Sequence, residues 1–138
     1  MCLGCKLANK ENVDVYRIYD NDFFSVILNK APFNEGHLLV MPKRHVEDFC
    51  DLKDEELASL SITLKQMSNL VKTVFEPDGI TICQHGGIYN DLGHISFHVI
   101  PRYENDGVDF GKPTNNYCAS LILNKTQKKL LNRIEEVV

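Results

Sequence analysis

Hydrophobic and polar positions alternate in short blocks over the first third of the chain, then shift to a longer period. Val15 to Asp20 alternates, meets the turn cluster Asp20-Asn21-Asp22 and resumes as Phe23 to Leu28, which predicts two strands joined by a hairpin. Gly36 to Met41 predicts a third strand, closed by Pro42. Leu57, Leu60, Leu64, Met67, Val71 and Val74 then step by three and four, the period of one buried helical face. They predict a helix over about 53–76, capped by Asp51 and ended by Pro77-Asp78-Gly79. Leu70 and Phe75 lie off that stripe and need cover from elsewhere. Ile80 to Cys83 and His94 to Ile100 predict a fourth and a fifth strand, with a loop between them from Gln84 to Gly93. Tyr117 to Leu123 is a candidate short strand, and Lys125 to Val137 a candidate C-terminal helix with Leu130, Leu131 and Ile134 inward.

Strands joined by hairpins, with one long helix inserted, define an α+β class: an antiparallel sheet of about five strands covered by helices on one face. A length of 138 residues suits one ordinary domain. Residues 1–112 are expected to form it, with 113–138 as an extension packed on the same domain. The longest apolar runs, Leu38 to Met41 and Ile95 to Ile100, fall far short of the ~20 residues of a membrane helix. No basic-then-apolar start marks a signal peptide, so a cytoplasmic location is expected.

A net charge of −4 offers no electrostatic footprint for DNA or RNA. A small anionic ligand remains open to it, since Lys43, Arg44 and Arg102 are local positives. Five cysteines, an odd number, argue against a disulfide framework. Cys50, Cys83 and Cys118 are expected as small buried hydrophobes. Cys2 and Cys5 have the gap of a zinc knuckle, but the pair supplies only half a tetrahedral site. A redox pair competes with that reading, weakened because no helix pattern clearly begins at Cys2.

The richest chemistry lies in Gly-His-Ile-Ser-Phe-His-Val-Ile-Pro-Arg, residues 93–102. On a strand His94, Ser96 and His98 would share one face, with Ile95, Phe97 and Val99 turned to the core. Two imidazoles and a hydroxyl on a covered face need partners. An exposed strand face that happens to carry histidines is the competing explanation. Upstream, Gln84-His85-Gly86-Gly87 leads into a glycine-rich turn whose backbone N–H groups can form an anion-binding nest. Gln84 and Asn90 offer further donors, and Asn29 follows the second strand. A metallohydrolase using His94 and His98 directly is a weaker alternative, because no carboxylate shares their row.

This order of motifs resembles the histidine-triad (HIT) superfamily of nucleotide hydrolases and transferases, over roughly residues 1–105. The resemblance is carried by His94, Ser96 and His98 followed by Val-Ile-Pro-Arg-Tyr, and by the stretch Gly36 to His45. Cys2-Leu-Gly-Cys5 looks like the start of the family's zinc-carrying branch. It implies a homodimer, paired through the long helix and an edge strand, that binds nucleoside phosphates on its sheet. Asn29 would contact the ribose of a purine nucleotide, and Gln84, Asn90 and His98 its phosphate. One structural zinc per chain would be held by Cys2, Cys5, His45 and His94.

In working members the middle histidine attacks the α-phosphorus of nucleoside phosphoramidates or dinucleoside polyphosphates. Here that position is Ser96, and the loop before it lacks the common Ala-Gly-Gln sequence. A serine hydroxyl needs a general base and would leave a poor, stable intermediate. His98 is placed to be that base, yet the diester would still have to be resolved. Losing a nucleophile from an arranged site can cost roughly 10⁶ in rate. The expectation is an enzyme scaffold whose turnover is impaired, with a non-catalytic nucleotide-binding or sensing module as the alternative. Whether Ser96 is an introduced change or a natural loss stays open at this point.

Overall fold

The computed structural model describes residues 2–10, 14–110 and 121–136. Five strands form one sheet: β1 (Arg17–Asp20), β2 (Phe24–Leu28), β3 (Leu38–Pro42), β4 (Gly79–Gln84) and β5 (Phe97–Arg102). Their spatial order is β1-β2-β3-β5-β4, and every neighbouring pair is antiparallel. The fold class is therefore α+β, as the hydrophobic pattern predicts.

Side chains of a strand alternate between faces, and both faces here are covered. Phe24, Val26, Leu38, Val40, Phe97 and Val99 pack with Leu60, Met67 and Val71 of the long helix α2 (Asp54–Phe75). On the opposite face Ile27, Leu39 and Met41 pack with Ala8 of a short helix, α1 (Leu3–Ala8). The expectation of helices on one face is thus corrected. A six-residue helix is too short for its own apolar period to be seen, and Cys2 supplies its cap, its sulfur accepting from the Cys5 N–H at 3.1 Å.

Helix α2 starts two residues later than an Asp51 cap would have it, because Asp51 belongs to a 3₁₀ turn, Phe49–Asp51. Lys53 takes the cap position, and its N–H donates to Glu56 Oε1 at 3.0 Å. Glu56 is buried and also receives Arg44 Nη2 at 2.7 Å, so a charged side chain occupies the apolar stripe without being unpaired. The far end of the stripe shifts as well. Val74 is exposed, while Phe75 packs against the core with its ring over Gly36. Gly36 has φ +90°, and a Cβ there would collide with that ring.

Residues 107–138 form a second compact unit, and residues 1–106 the first. Within the second, α3 (Leu123–Leu131) is followed by a 3₁₀ turn, Ile134–Glu136. Leu130 and Leu131, expected inward, are exposed. Leu123 opens the helix instead of closing a strand; residues 117–120, with Cys118, and the Ile134 side chain lie outside the described set. Cys50 is exposed and Cys83 half-buried, so neither is the fully buried hydrophobe expected. Among the described residues, no helix is long and apolar enough to cross a membrane.

Candidate functional site

The ladder of β5 begins at Phe97, so His94 and Ser96 precede the strand instead of lying along it. His94 is held there by two bonds: its Nε2 donates to the Pro42 carbonyl at 2.8 Å, and the next residue, Ile95, donates its N–H to Val46 O at 2.7 Å. The second bond ties the segment bearing His94 to the one bearing His45. Alternation survives the lost ladder. Ile95, Phe97 and Val99 enter the core under α2, while Ser96 and His98 line a cavity on the α1 side.

Four ligand atoms converge where α1, the end of β3 and His94 meet. The Cys2 sulfur lies 3.0 Å from Cys5 Sγ, 3.3 Å from His45 Nδ1 and 3.6 Å from His94 Nδ1. The Cys5 sulfur lies 3.1 Å from His45 Nδ1 and 3.5 Å from His94 Nδ1. All four atoms fall within 4.8 Å of one another. The five sulfur separations lie near 3.3 Å, and a regular tetrahedron of that edge has its centre about 2.0 Å from each corner, close to the zinc–ligand distances of about 2.0–2.3 Å.

Both imidazoles are also oriented from behind. His45 Nε2 meets Glu47 Oε1 at 3.0 Å, and His94 Nε2 is spent on Pro42 O, which leaves each Nδ1 lone pair for an ion. The Glu47 carboxylate, with Cys2, raises the His45 pKa, whereas burial lowers that of His94. Burial opposes ionisation of Cys2, but bonds from the Cys5 thiol, the Cys5 N–H and His45 outweigh it and lower its pKa. Two thiols and two such imidazoles are a donor set that fits zinc. The helix cap at Cys2 belongs to this cluster, and Gly4 permits it, since a Cβ at residue 4 would overlap the His94 side chain.

Beside this cluster lies a cavity of about 580 Å³, within the usual size of small-molecule sites. Leu7, Val15, Ile27 and Leu39 make an apolar floor, and Asn29, Asn90, Ser96 and His98 supply polar groups. Gln84, expected at the phosphate, is not among the residues that line this cavity. Gln84 pairs with Phe97 in the β4–β5 register and so shares the α2 face; the next residue, His85, lines the cavity instead. The Gln84 Nε2 is buried and lacks a hydrogen-bond partner among the described residues.

His37 belongs to none of the site residues that the motifs predict. It is 1% exposed, and its Nδ1 accepts the Phe33 N–H at 3.1 Å. An accepting Nδ1 places the proton on Nε2, which donates to His98 Nδ1 at 2.8 Å. That leaves the Nε2 of neutral His98 as a donor. Burial, helped by His98, holds the His37 pKa down to about 4; burial, then His85, lowers that of His98. Leu39 pairs with His98, so period two also puts residue 37 on the His98 face. A histidine opening β3 was the available signal.

The HIT domain family matches residues 10–105. The chain belongs to the HIT family. An uncharacterised HIT-like protein of Methanocaldococcus jannaschii is 35% identical over 119 residues, covering 83% of this chain and 91% of that one. The adenosine 5'-monophosphoramidase HNT1 of Saccharomyces cerevisiae is 28% identical over 97% of this HIT protein and 83% of its own length. Among solved structures, a zinc-bound histidine triad family protein of Mycobacterium smegmatis superposes with TM-score 0.72 at 26% identity, over 95% of this chain and 96% of the other. A HIT family protein of Bacillus subtilis, 22% identical, shares the fold at TM-score 0.86 over 99% and 96% of the two chains.

Proposed function

We propose that this HIT protein binds purine nucleotides in the cavity between α1 and the sheet and acts at their α-phosphate, on nucleoside phosphoramidates or dinucleoside polyphosphates. The observation that carries this reading is the His37–His98 pair, which fixes a neutral imidazole N–H donor in the wall of a cavity with an apolar floor. The apolar floor suits a base, Asn29 a ribose, and Asn90 with His98 a phosphate. The yeast relative's name points to the same chemistry.

Turnover through residue 96 is impaired, because a hydroxyl replaces the imidazole that would attack phosphorus. That same residue favours a second reading, a nucleotide-binding or sensing module without catalysis. Cys2, Cys5, His45 and His94 would hold one zinc, which supplies a structural tie between α1 and the sheet and no step of the reaction. The protein would work as a homodimer, through α2 and the edge of the sheet.

Thermal shifts with AMP, adenosine and inorganic phosphate, run beside hydrolysis of adenosine 5'-phosphoramidate, test the proposal. A ligand that binds only the folded state raises the melting temperature with its concentration. AMP should stabilise more than adenosine. Stabilisation without hydrolysis supports the sensing module, and no stabilisation by any nucleotide removes both readings.

A further inference from the structure

The imidazole that residue 96 lacks is present one strand away. In the β4–β5 ladder Cys83 faces His98 and Gln84 faces Phe97. Alternation carried one residue beyond the last pair puts His85 on the face of Cys83 and His98. The cavity lining agrees, since His85 and Ser96 both belong to it. The His85 ring lies edge-on to His98, their centroids 5.6 Å apart and their planes at 65°.

Resting on the α-phosphate reading above, we propose that His85 is the nucleophile of this protein. Its imidazole reaches the phosphorus from the segment just after β4, on the cavity wall it shares with Ser96. A serine at 96 is small enough to leave that approach open. His98 remains alongside to bind the phosphate, its orientation set by His37. His85 is exposed, so its lone pair is not committed to a buried structural bond; Cys83 Sγ lies 4.0 Å from its Nε2.

The step balances without any added redox partner. An imidazole nitrogen forms a bond to the α-phosphorus while the bond from phosphorus to the leaving nitrogen or oxygen breaks. The leaving group takes up one proton from solvent. Water then attacks the phosphorus, and the nitrogen–phosphorus bond breaks with its electron pair returning to the ring. One proton of that water stays on the nucleotide phosphate and the other returns to solvent. The net reaction is hydrolysis, and an imidazole suits it because its phosphoramidate is readily broken again.

The test uses the full chain, adenosine 5'-phosphoramidate and an alkaline quench, followed by peptide mass spectrometry. A nucleotidyl adduct on His85 is expected. His85→Asn should remove the adduct and lower kcat on the order of 10³-fold or more, while the thermal shift with AMP is retained. In His85→Gly, free imidazole should restore turnover, a rescue that a merely structural role would not show. An adduct on Ser96 or His98, unchanged kcat in His85→Asn, or nucleotide binding with neither adduct nor turnover would overturn the assignment while leaving the nucleotide site standing. Absence of any nucleotide-induced shift, with no hydrolysis even by Ser96→His, would remove the underlying reading and this proposal with it.

Discussion

His37 Nε2 donates to His98 Nδ1 across 2.8 Å, and this bond couples a fully covered imidazole to one that lines the cavity. Burial keeps His37 neutral, with its pKa lowered from 6.5 to about 4. Between those values the unfolded chain binds a proton that the folded chain does not, so stability falls as pH is lowered through that window. The loss from this residue is on the order of 3 kcal/mol. Urea melts from pH 7.5 to 4.5 should show a slope that flattens in His37→Gln; an unchanged slope would contradict the assigned protonation state.

Elemental analysis of the protein as purified should find one zinc per chain. Cys5→Ser should lose it and lower the melting temperature, because Cys5 Sγ contacts both imidazoles of the cluster. A metal-free protein of equal stability would count against the zinc centre.

Gly4→Ala should destabilise the protein by about 1–3 kcal/mol, the usual cost of forcing atoms into a packed site. Helix propensity alone would favour alanine by about 1 kcal/mol, so the sign of the change decides between crowding and propensity. The crowding partner is the His94 side chain. Zinc content should fall with stability.

Ser96→His should raise kcat for adenosine 5'-phosphoramidate, and it should do so in a His85→Asn background as well. On the proposed reading the binding contacts are already arranged, and an oriented nucleophile draws most of its effect from that pre-organisation. Steady-state kinetics on the single and double variants would show it. A change confined to KM would mean that residue 96 does not face the phosphorus.

Light scattering at micromolar concentration should return a dimer mass. Ile62, Leu70 and Val74 on α2 and Ile82 on the edge strand β4 are exposed in the single chain and would be covered by a symmetric partner. Leu70→Glu should shift the mass toward monomer.

Much of this architecture was readable in the order of residues. Period two located four of the five strands within a residue or two, and period three-to-four located α2, because in each case one face is buried and the alternation is forced. The failures share a cause. His94 and Ser96 were assigned to a strand because alternation continues through them, although the hydrogen bonds there go to Pro42 and Val46 instead of a ladder. Gln84 and His85 are neighbours, and only the register with β5 decides which one faces the cavity. His37 was hidden for a similar reason, since its role depends on its cross-strand neighbour His98. The four zinc donors were named from the resemblance. Nothing in spacing alone could bring Cys2 and His94, 92 residues apart, to 3.6 Å.

Helix α1 carries Leu3 and Leu7 on the cavity wall and Cys5 in the donor cluster, all within six residues. A helix that short has no stability of its own, so whatever orders it at one end orders it at the other. Binding at the two places is then thermodynamically linked, with one coupling free energy read in either direction. Metal bound at the sulfurs would tighten nucleotide, and nucleotide would raise the affinity for metal by the same factor. Affinity measured on chelated protein would consequently understate that of the loaded form.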